Sequence, residues 1–307
     1  MKIILSEHYG FCMGVKRAIR ITSGLSSNEK HLTIYHEIVH NETIIDFFKE
    51  KGINQAGTID EIEEGTVIIP AHGAPPGTIR IAESKGLKII DASCPLVKRI
   101  HQLVEKLTAE GYHVIHFGDR EHDETVGIMG HASDNITVIE SYGEAESLII
   151  NREKRALTAQ TTAGLDEFLR AEKILRKKYP QIKVLNTICN ATTNRQKAAA
   201  ELARQCDLFL VIGSAKSANT KRLAVIAAKN CRRVFRINSC DEVRREWLFN
   251  DDGSDIDTLG ITAGASTPDT KVAEIIEFIK ENTNNPIEVV YPEKRKPDPQ
   301  LLFEENG

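Results

Sequence analysis

Three cysteines of this chain share one local sequence setting. Cys12, Cys94 and Cys189 each follow a short β-branched run and a tight turn, and each precedes a helical pattern with an early basic residue. This setting predicts a thiol at a helix N-terminus, where the helix dipole favours the thiolate. Three thiolates that converge would form a metal centre. A centre that prefers four ligands would then keep one position open for chemistry.

The other three cysteines, Cys206, Cys231 and Cys240, lack this setting, and we interpret them as small buried hydrophobic residues. The chain contains no CxxC pair. Its spacing therefore excludes a zinc knuckle, a thioredoxin-type redox pair and the CxxCxxC run of ferredoxins.

Composition narrows the class of protein. The chain has 307 residues, of which 41% are hydrophobic and 27% charged, as in ordinary soluble proteins. A formal net charge of −4 argues against a general nucleic-acid binder. No apolar run approaches the ~20 residues that span a bilayer, and no signal peptide is recognisable. We therefore expect a cytoplasmic protein with reduced thiols, whose cysteines serve metal binding or catalysis.

Strand-like and helical patterns alternate along almost the whole chain. This alternation predicts an α/β fold with mostly parallel sheets covered by helices. The cysteine settings recur about once per third of the chain, which favours three small αβα domains of about four strands each over the alternative of a TIM barrel. The predicted domains are 1–95, 96–186 and 187–283, followed by an extended tail at 284–307. The eleven predicted strands lie near 2–5, 32–36, 66–70, 87–91, 112–117, 136–140, 156–160, 182–185, 208–213, 233–237 and 258–262.

Ligands of α/β folds bind at the carboxyl ends of strands, where helices begin. Polar residues occupy many of these positions, and their collective pattern indicates an anion such as phosphate. Helix capping alone would explain some of them singly, namely Asn41, Ser217 and Ser266. No Walker A or GxGxxG stretch occurs, so a nucleotide is not indicated. The residues at these strand ends are His40, Asn41, His72, Gly73, His122, Asp123, Glu124, Thr161, Thr162, Ser217, Asn219 and Ser266.

The triplet His122, Asp123 and Glu124 has several interpretations. It offers a possible acid/base pair, but a charged surface loop would have the same sequence. The three side chains are also possible metal ligands. A zinc site of the HExxH type is excluded, because no second histidine follows at helical spacing.

A series of motifs gives a family resemblance from residue 1 to about 280. They occur in family order: GFCMGVKRA, HEIVHN, AHG, ASCPLVK, HDETVG, QTT, ATTNRQ, GSAKSANTKRL and TAGASTPD. With them the chain resembles the 4-hydroxy-3-methylbut-2-enyl diphosphate reductases, the last enzymes of the methylerythritol phosphate route to isoprenoids. The resemblance implies a trefoil of three αβα domains around a central cavity. It also implies a [4Fe–4S] cluster bound by Cys12, Cys94 and Cys189.

The same resemblance assigns substrate-binding residues. It places the diphosphate at His40, His72, Ser217, Asn219 and Ser266. It places His122, Glu124 and Thr161 around the reacting hydroxyl, and it makes Glu124 the proton donor. Thr162, at the same strand end as Thr161, is also predicted to bind substrate. The implied reaction removes the allylic hydroxyl with two electrons and two protons, giving isopentenyl and dimethylallyl diphosphates. The implied electron donor is a ferredoxin or a flavodoxin.

Three features depart from the family pattern. Asp123 stands where the family usually has proline, and it would raise the pKa of Glu124 only if it pointed inward. Ala218 replaces a frequent serine, which removes one possible phosphate donor. Pro75 and Pro76 follow the AHG motif and are expected to stiffen that loop.

Two other functions remain open from the sequence. One is a hydro-lyase that uses a three-cysteine cluster as a Lewis acid, and such an enzyme would turn over without a reductant. The other is an iron–sulfur sensor or carrier without enzymatic activity. The anion-binding pattern argues against a sensor or carrier, and a measurement of diphosphate binding would decide whether the protein is one.

Overall fold

The structure of the chain, a computed structural model, describes residues 1–25, 31–283 and 286–293. These residues contain thirteen strands. In chain order they are β1 (Lys2–Leu5), β2 (Leu32–Tyr35), β3 (Asn54–Ala56), β4 (Thr66–Ile69), β5 (Lys88–Asp91), β6 (His113–Phe117), β7 (Ile136–Ile139), β8 (Arg155–Ala159), β9 (Lys183–Val184), β10 (Leu208–Ile212), β11 (Val234–Ile237), β12 (Thr258–Ala263) and β13 (Glu288–Val290).

Ten α-helices connect the strands within the described residues. They are α1 (Met13–Leu25), α2 (Glu42–Glu50), α3 (Pro76–Ser84), α4 (Pro95–Ala109), α5 (Asp123–Ala132), α6 (Tyr142–Ser147), α7 (Leu165–Lys178), α8 (Asn190–Ala203), α9 (Ala218–Ala228) and α10 (Asp269–Glu281). Helices α3 and α4 begin with a proline, whose fixed φ suits the first helical position and whose missing N–H would have no partner there.

The strands form three sheets in which every ladder is parallel. Their orders are β11-β10-β12-β1-β13, β3-β2-β4-β5 and β7-β6-β8-β9. The predicted α/β fold with parallel sheets is confirmed. The sequence explains the central strands, because β10 is a continuous apolar run, β4 is apolar after Thr66, and both are buried along their whole length.

Two strands, β3 and β13, were not predicted. The three-residue β3 is a short edge strand that exposes two of its residues, so it carries no apolar pattern. The first strand, β1, pairs with β12 and β13 rather than with strands of the first predicted domain. Strand β13 belongs to the predicted extended tail, of which residues 284, 285 and 294–307 lie outside the described residues.

The chain divides into two compact units. Met1–Cys12 and the described residues from Asn190 onward form the unit with the five-stranded sheet, and Met13–Cys189 form the unit with the two four-stranded sheets. In the first unit, apolar side chains of α10 cover one face of the sheet, and those of α8 and α9 cover the other. In the second unit, α7 packs on one face of the β7-β6-β8-β9 sheet, and α4 and α5 pack on the other. No helix among the described residues is long and apolar enough to cross a membrane.

Candidate active site

The three cysteines of the repeated setting share one backbone contact. Each donates its backbone N–H, at 3.0 Å, to a carbonyl in the loop after a neighbouring strand: Cys12 to Ala265, Cys94 to Ala71, and Cys189 to Thr161. These three loops carry residues predicted to bind substrate, because Ala265 precedes Ser266, Ala71 precedes His72, and Thr161 is one of them. The fold therefore repeats, in each sheet, the same backbone link between a cysteine and a loop predicted to bind substrate.

The local structure around each cysteine suits a metal ligand. Helices α1, α4 and α8 begin directly after Cys12, Cys94 and Cys189, as the sequence predicted. All six cysteines lie in the described residues as thiols, and the side chains of these three are partly exposed. A soft thiolate at the positive end of a helix is a suitable ligand for iron. The donor set therefore fits an iron–sulfur cluster.

The loop before Cys12 depends on a glycine and an arginine. Gly10 adopts a φ of 66°, a left-handed conformation that an L side chain rarely adopts. Its carbonyl accepts a hydrogen bond of 2.7 Å from the buried Arg195 on α8. Together they fix the turn that leads β1 into Cys12.

Three histidines converge in the unit Met13–Cys189. His40 follows β2, His72 follows β4, and His122 precedes α5. The rings of His40 and His72 stack with centroids 4.1 Å apart, and His122 stands edge-on to both at 5.0 and 5.5 Å. One nitrogen of each ring lies within 4.8 Å of the others. The structure thus brings together the two predicted diphosphate histidines and one residue predicted at the hydroxyl.

The surroundings of His72 and His122 indicate where their rings carry protons. Burial lowers the pKa of His72 well below its usual value, and the neighbouring His40 and His122 lower it further, so His72 is neutral. His122 is the N-cap residue of α5, and its Nδ1 accepts the backbone N–H of Glu124 at 3.1 Å. When a neutral ring accepts at Nδ1, its proton lies on Nε2. His122 therefore presents a donor rather than a free lone pair at Nε2, which argues against a metal site at the three histidines.

Glu124 is a buried carboxyl group in the first turn of α5. Its side chain is 2% exposed and accepts two hydrogen bonds from Thr161, from the backbone N–H at 2.7 Å and from the hydroxyl at 2.6 Å. Burial raises the pKa of Glu124, although the Thr161 bonds oppose this rise. The group is therefore better able to hold and deliver a proton than an ordinary glutamate.

Asp123, next to Glu124 in the chain, lies against two histidines that follow β2. One of its oxygens is 3.1 Å from His36 Nδ1, and the other is 3.8 Å from His40 Nε2. Burial by itself would raise the pKa of Asp123, but the His36 hydrogen bond and the nearby histidines lower it to about 2. Asp123 is not among the groups that shift the pKa of Glu124, so it does not point inward toward that carboxyl group. It is not inert either, because it contacts His36.

The unit that contains β10 and β12 positions the remaining predicted residues. Ser217 is the N-cap of α9 and accepts the N–H of Thr220 at 3.3 Å, so capping accounts for one of its contacts. The loops after β10 and β12 approach closely: a Cβ on Gly213 would lie 2.5 Å from Thr267 Oγ1, and Gly213 has a φ of 142°. Ser217 and Asn219 follow β10, and Ser266 follows β12. Because β10 and β12 are neighbours in the sheet, these residues lie at adjacent strand ends.

Two asparagines have buried side chains that no group in the described part of the chain satisfies. Asn41 is 1% exposed and Asn219 is 3% exposed, and both amide atoms of each lack a hydrogen-bond partner among the described residues. Asn41 is an N-cap residue, but its side chain makes no capping bond, so capping does not explain it. His72 Nε2 is also buried, and no residue that the structure describes hydrogen-bonds to it. Buried polar atoms without partners cost free energy, and a polar ligand would satisfy them.

The remaining predicted residue and the other departures have clear positions. The Thr162 hydroxyl accepts a hydrogen bond of 2.9 Å from Gln160 within its own loop. Pro75 and Pro76 form the start of α3, and Pro75 packs so closely on α5 that a Cβ on Gly130 would lie 2.7 Å from it. Ala218 begins α9.

Sequence reasoning missed two residues of this site, His36 and Glu37. Glu37 lies 3.0 Å from His40 Nδ1, and His36 contacts Asp123. Both belong to the HEIVHN motif, but the predicted strand near 32–36 includes His36, so only His40 is interpreted as a histidine after the strand. The pairing of His36 with a residue 87 positions away could not be read from the sequence.

Comparison with known proteins gives the family. The family model described as LytB protein matches residues 3–280. The chain belongs to the LytB family. The curated 4-hydroxy-3-methylbut-2-enyl diphosphate reductase of Nitratiruptor sp. is 39% identical over 282 residues, which cover 91% of this chain and 98% of that protein. The enzyme of the same name from Campylobacter hominis is 37% identical over 281 residues, with the same coverage of 91% and 98%.

Solved structures similar to this LytB protein are also reductases. The E-1-hydroxy-2-methyl-but-2-enyl-4-diphosphate reductase from Plasmodium falciparum has a TM-score of 0.86 at 27% identity, covering 98% of this chain and 96% of that one. A second structure, of (E)-4-hydroxy-3-methyl-but-2-enyl diphosphate reductase, the terminal enzyme of the non-mevalonate pathway, has a TM-score of 0.65 at 34% identity. It covers 91% of this chain and 99% of that one. The resemblance seen in the motifs is confirmed.

Proposed function

We propose that this LytB protein reduces 4-hydroxy-3-methylbut-2-enyl diphosphate to isopentenyl and dimethylallyl diphosphates. In this reaction the allylic C–O bond breaks, two electrons enter the carbon skeleton, one proton leaves with the hydroxyl as water, and one proton adds to carbon. The added proton can attach to either end of the allyl system, which accounts for two products. Relatives that span almost the whole chain carry the name of this activity, which supports the proposal.

The observation that carries the proposal is the buried Glu124 beside three histidines. Removal of a hydroxyl needs an acid next to the leaving oxygen, and Glu124 is a carboxyl group whose pKa is raised by burial. Thr161 orients it through two hydrogen bonds. We assign Glu124 as the proton donor, with the Thr161 hydroxyl and the Nε2–H of His122 as groups that orient the substrate hydroxyl.

We assign Cys12, Cys94 and Cys189 as the ligands of a [4Fe–4S] cluster. Such a cluster, when bound, would supply single electrons and a Lewis-acidic iron without a protein ligand. The chemistry of the donor set supports this assignment, since all three are thiols at helix starts. Burial raises the pKa of the Cys206 thiol to about 12, which makes Cys206 a poor candidate for a fourth thiolate ligand.

We assign the diphosphate to the polar residues at the other strand ends. His40 and His72 offer ring nitrogens, and the buried amide nitrogen of Asn219 has no partner within residues 1–25, 31–283 and 286–293, so it is available to donate. The Ser217 hydroxyl accepts one backbone N–H and can still donate its proton to an anion. The proposed diphosphate ligands are His40, His72, Ser217, Asn219 and Ser266, with Thr162 as an additional substrate contact.

The electrons must come from a one-electron donor. We propose a small carrier protein, a ferredoxin or a flavodoxin, and we place the reaction in the cytoplasm, where thiols stay reduced. Neither a nucleic-acid partner nor a membrane partner enters the proposal.

Anaerobic purification and turnover test the proposal. We expect about four irons per chain. We also expect substrate consumption only when a chemical one-electron donor, dithionite-reduced methyl viologen, is present. Turnover at the same rate without a reductant would show a hydro-lyase instead. A protein that binds iron but shows no affinity for inorganic pyrophosphate would favour an iron–sulfur carrier.

A further inference from the structure

Two carboxylates lie beside the proposed diphosphate histidines, where an anion must bind. Asp123 lies 3.8 Å from His40 Nε2, and Glu37 lies 3.0 Å from His40 Nδ1. Because His72 is neutral, it offers no charge to offset them. A negative charge near an anionic ligand weakens its binding, so this site needs a compensating cation.

His36 has the contacts that such a cation requires. Its Nδ1 is 3.1 Å from Asp123 Oδ1, and its ring also hydrogen-bonds the backbone of Gly57. Two acceptors around one ring favour the doubly protonated form. The hydrogen bond to Asp123 raises the pKa of His36, and the charges of Asp123 and Glu37 raise it further, while burial opposes the rise.

The backbone at His36 supports a specific role. His36 has a φ of 55°, in the left-handed region that few residues other than glycine adopt. Its N–H donates to the Ala56 carbonyl at 2.8 Å, which fixes this conformation directly after β2. Unusual backbone conformations persist where the surrounding structure holds them, and they are frequent at functional sites.

We propose that His36 is a positioning residue for the diphosphate: its imidazolium neutralises Asp123, so that His40 can direct Nε2 to the anion rather than to Asp123. The distances support this division. Asp123 is within hydrogen-bonding distance of His36, but at 3.8 Å it is farther from His40 than a hydrogen bond allows. His40 can thus exchange Asp123 for a phosphate oxygen without losing a hydrogen bond to Asp123. The proposal rests on the proposed diphosphate site.

A double-mutant cycle on the full-length chain tests this role, with inorganic pyrophosphate as the probe in isothermal titration calorimetry at fixed pH and ionic strength. The single variants are His36→Asn and Asp123→Asn, and the third protein combines them. Asparagine tolerates the left-handed backbone and removes the positive charge. We expect His36→Asn to weaken pyrophosphate binding by roughly 10- to 100-fold, because it leaves Asp123 uncompensated. Asp123→Asn alone should bind at least as tightly as wild type.

The double variant should return to within about threefold of wild type, because the charge that His36 neutralises is then absent. A matched control is His31→Asn. His31 also has a φ of 55°, but its exposed ring pairs with Glu64, at 3.7 Å, rather than with Asp123. Wild-type affinity in His36→Asn, no rescue in the double variant, or an equal loss in His31→Asn would each overturn the proposal. If the wild-type chain itself does not bind pyrophosphate, the proposed diphosphate site fails, and the role of His36 fails with it.

Discussion

Replacement of Glu124 by glutamine removes the proposed acid and keeps its shape. The glutamine carbonyl can accept the Thr161 N–H, and the glutamine NH₂ can donate to the Thr161 hydroxyl, so both contacts of 2.7 and 2.6 Å survive. We therefore expect a change in the free energy of unfolding of no more than about 1 kcal/mol. Iron content and pyrophosphate affinity should remain close to wild type.

Turnover should fall much further than stability. A glutamine cannot donate an acid proton, and loss of a general acid typically costs roughly 10²–10⁴-fold in rate. This range corresponds to about 3–5 kcal/mol of activation free energy. The pH profile gives a second readout. Because the raised pKa of Glu124 keeps its proton to higher pH, wild-type turnover should decline as pH rises through that pKa, and this decline should be absent in the variant.

The assay is single-turnover reduction under anaerobic conditions with dithionite-reduced methyl viologen, with iron content measured on the same samples. Asp123→Asn is the matched control, since it also replaces a carboxylate by its amide at the start of α5. Its effect on turnover should be much smaller. Normal turnover in Glu124→Gln, together with an inactive Asp123→Asn, would show that the acid is the neighbouring residue.

Three further predictions concern the cluster, a turn and the pH dependence of stability. Cys94→Ser should lose iron in an iron assay, whereas Cys231→Ser, at a buried core position, should keep it; full iron content in Cys94→Ser would contradict the ligand assignment. Gly73→Ala should lower the melting temperature and weaken pyrophosphate binding. Gly73 has a φ of 79°, and a new Cβ would lie 2.6 Å from the His101 ring. An unchanged melting temperature would contradict this packing. Asp123 has its pKa lowered to about 2 from an unfolded value of about 3.9, so its contribution to stability is present above pH 4 and is lost as pH falls toward 2. The stability difference between wild type and Asp123→Asn in urea titrations should therefore shrink from pH 6 to pH 3, and a constant difference would contradict it.

The features that sequence predicted are local ones. Strands such as β10 could be recognised because a buried parallel strand is a continuous apolar run. The cysteines could be placed at helix starts because a strand, a turn and a helical period lie within about twenty residues of sequence. Once parallel strands were recognised, their carboxyl ends gave His40, His72 and Glu124 as candidate ligands, since that edge is fixed by chain direction.

The features that sequence did not predict depend on distant pairing. The run that forms β1 is recognisable as a strand, but nothing in it shows that it pairs with β12, more than 250 residues later. The same holds for Asp123. On an extended segment its side chain could have faced Glu124 or solvent, and only the folded chain shows that it meets His36 after β2. Asn41 illustrates a different difficulty, because its sequence position suits a cap that its side chain does not make.

The unsatisfied asparagines connect the fold to the proposed chemistry. A buried amide costs about 1–3 kcal/mol of folding free energy for each donor or acceptor without a hydrogen bond. Asn41 and Asn219 therefore lower the stability of the ligand-free protein. The Asn41 side chain makes no capping bond, and the cap of α9 is Ser217 rather than Asn219. Their Nδ2 groups can donate to an anion, and their Oδ1 atoms can accept from water or from a hydroxyl. Both are held at a helix start, where the helix dipole also favours negative charge. A donor that is fixed before the ligand arrives loses little entropy on binding, so under the proposed function the stability given up at each of these positions would contribute to affinity for the substrate.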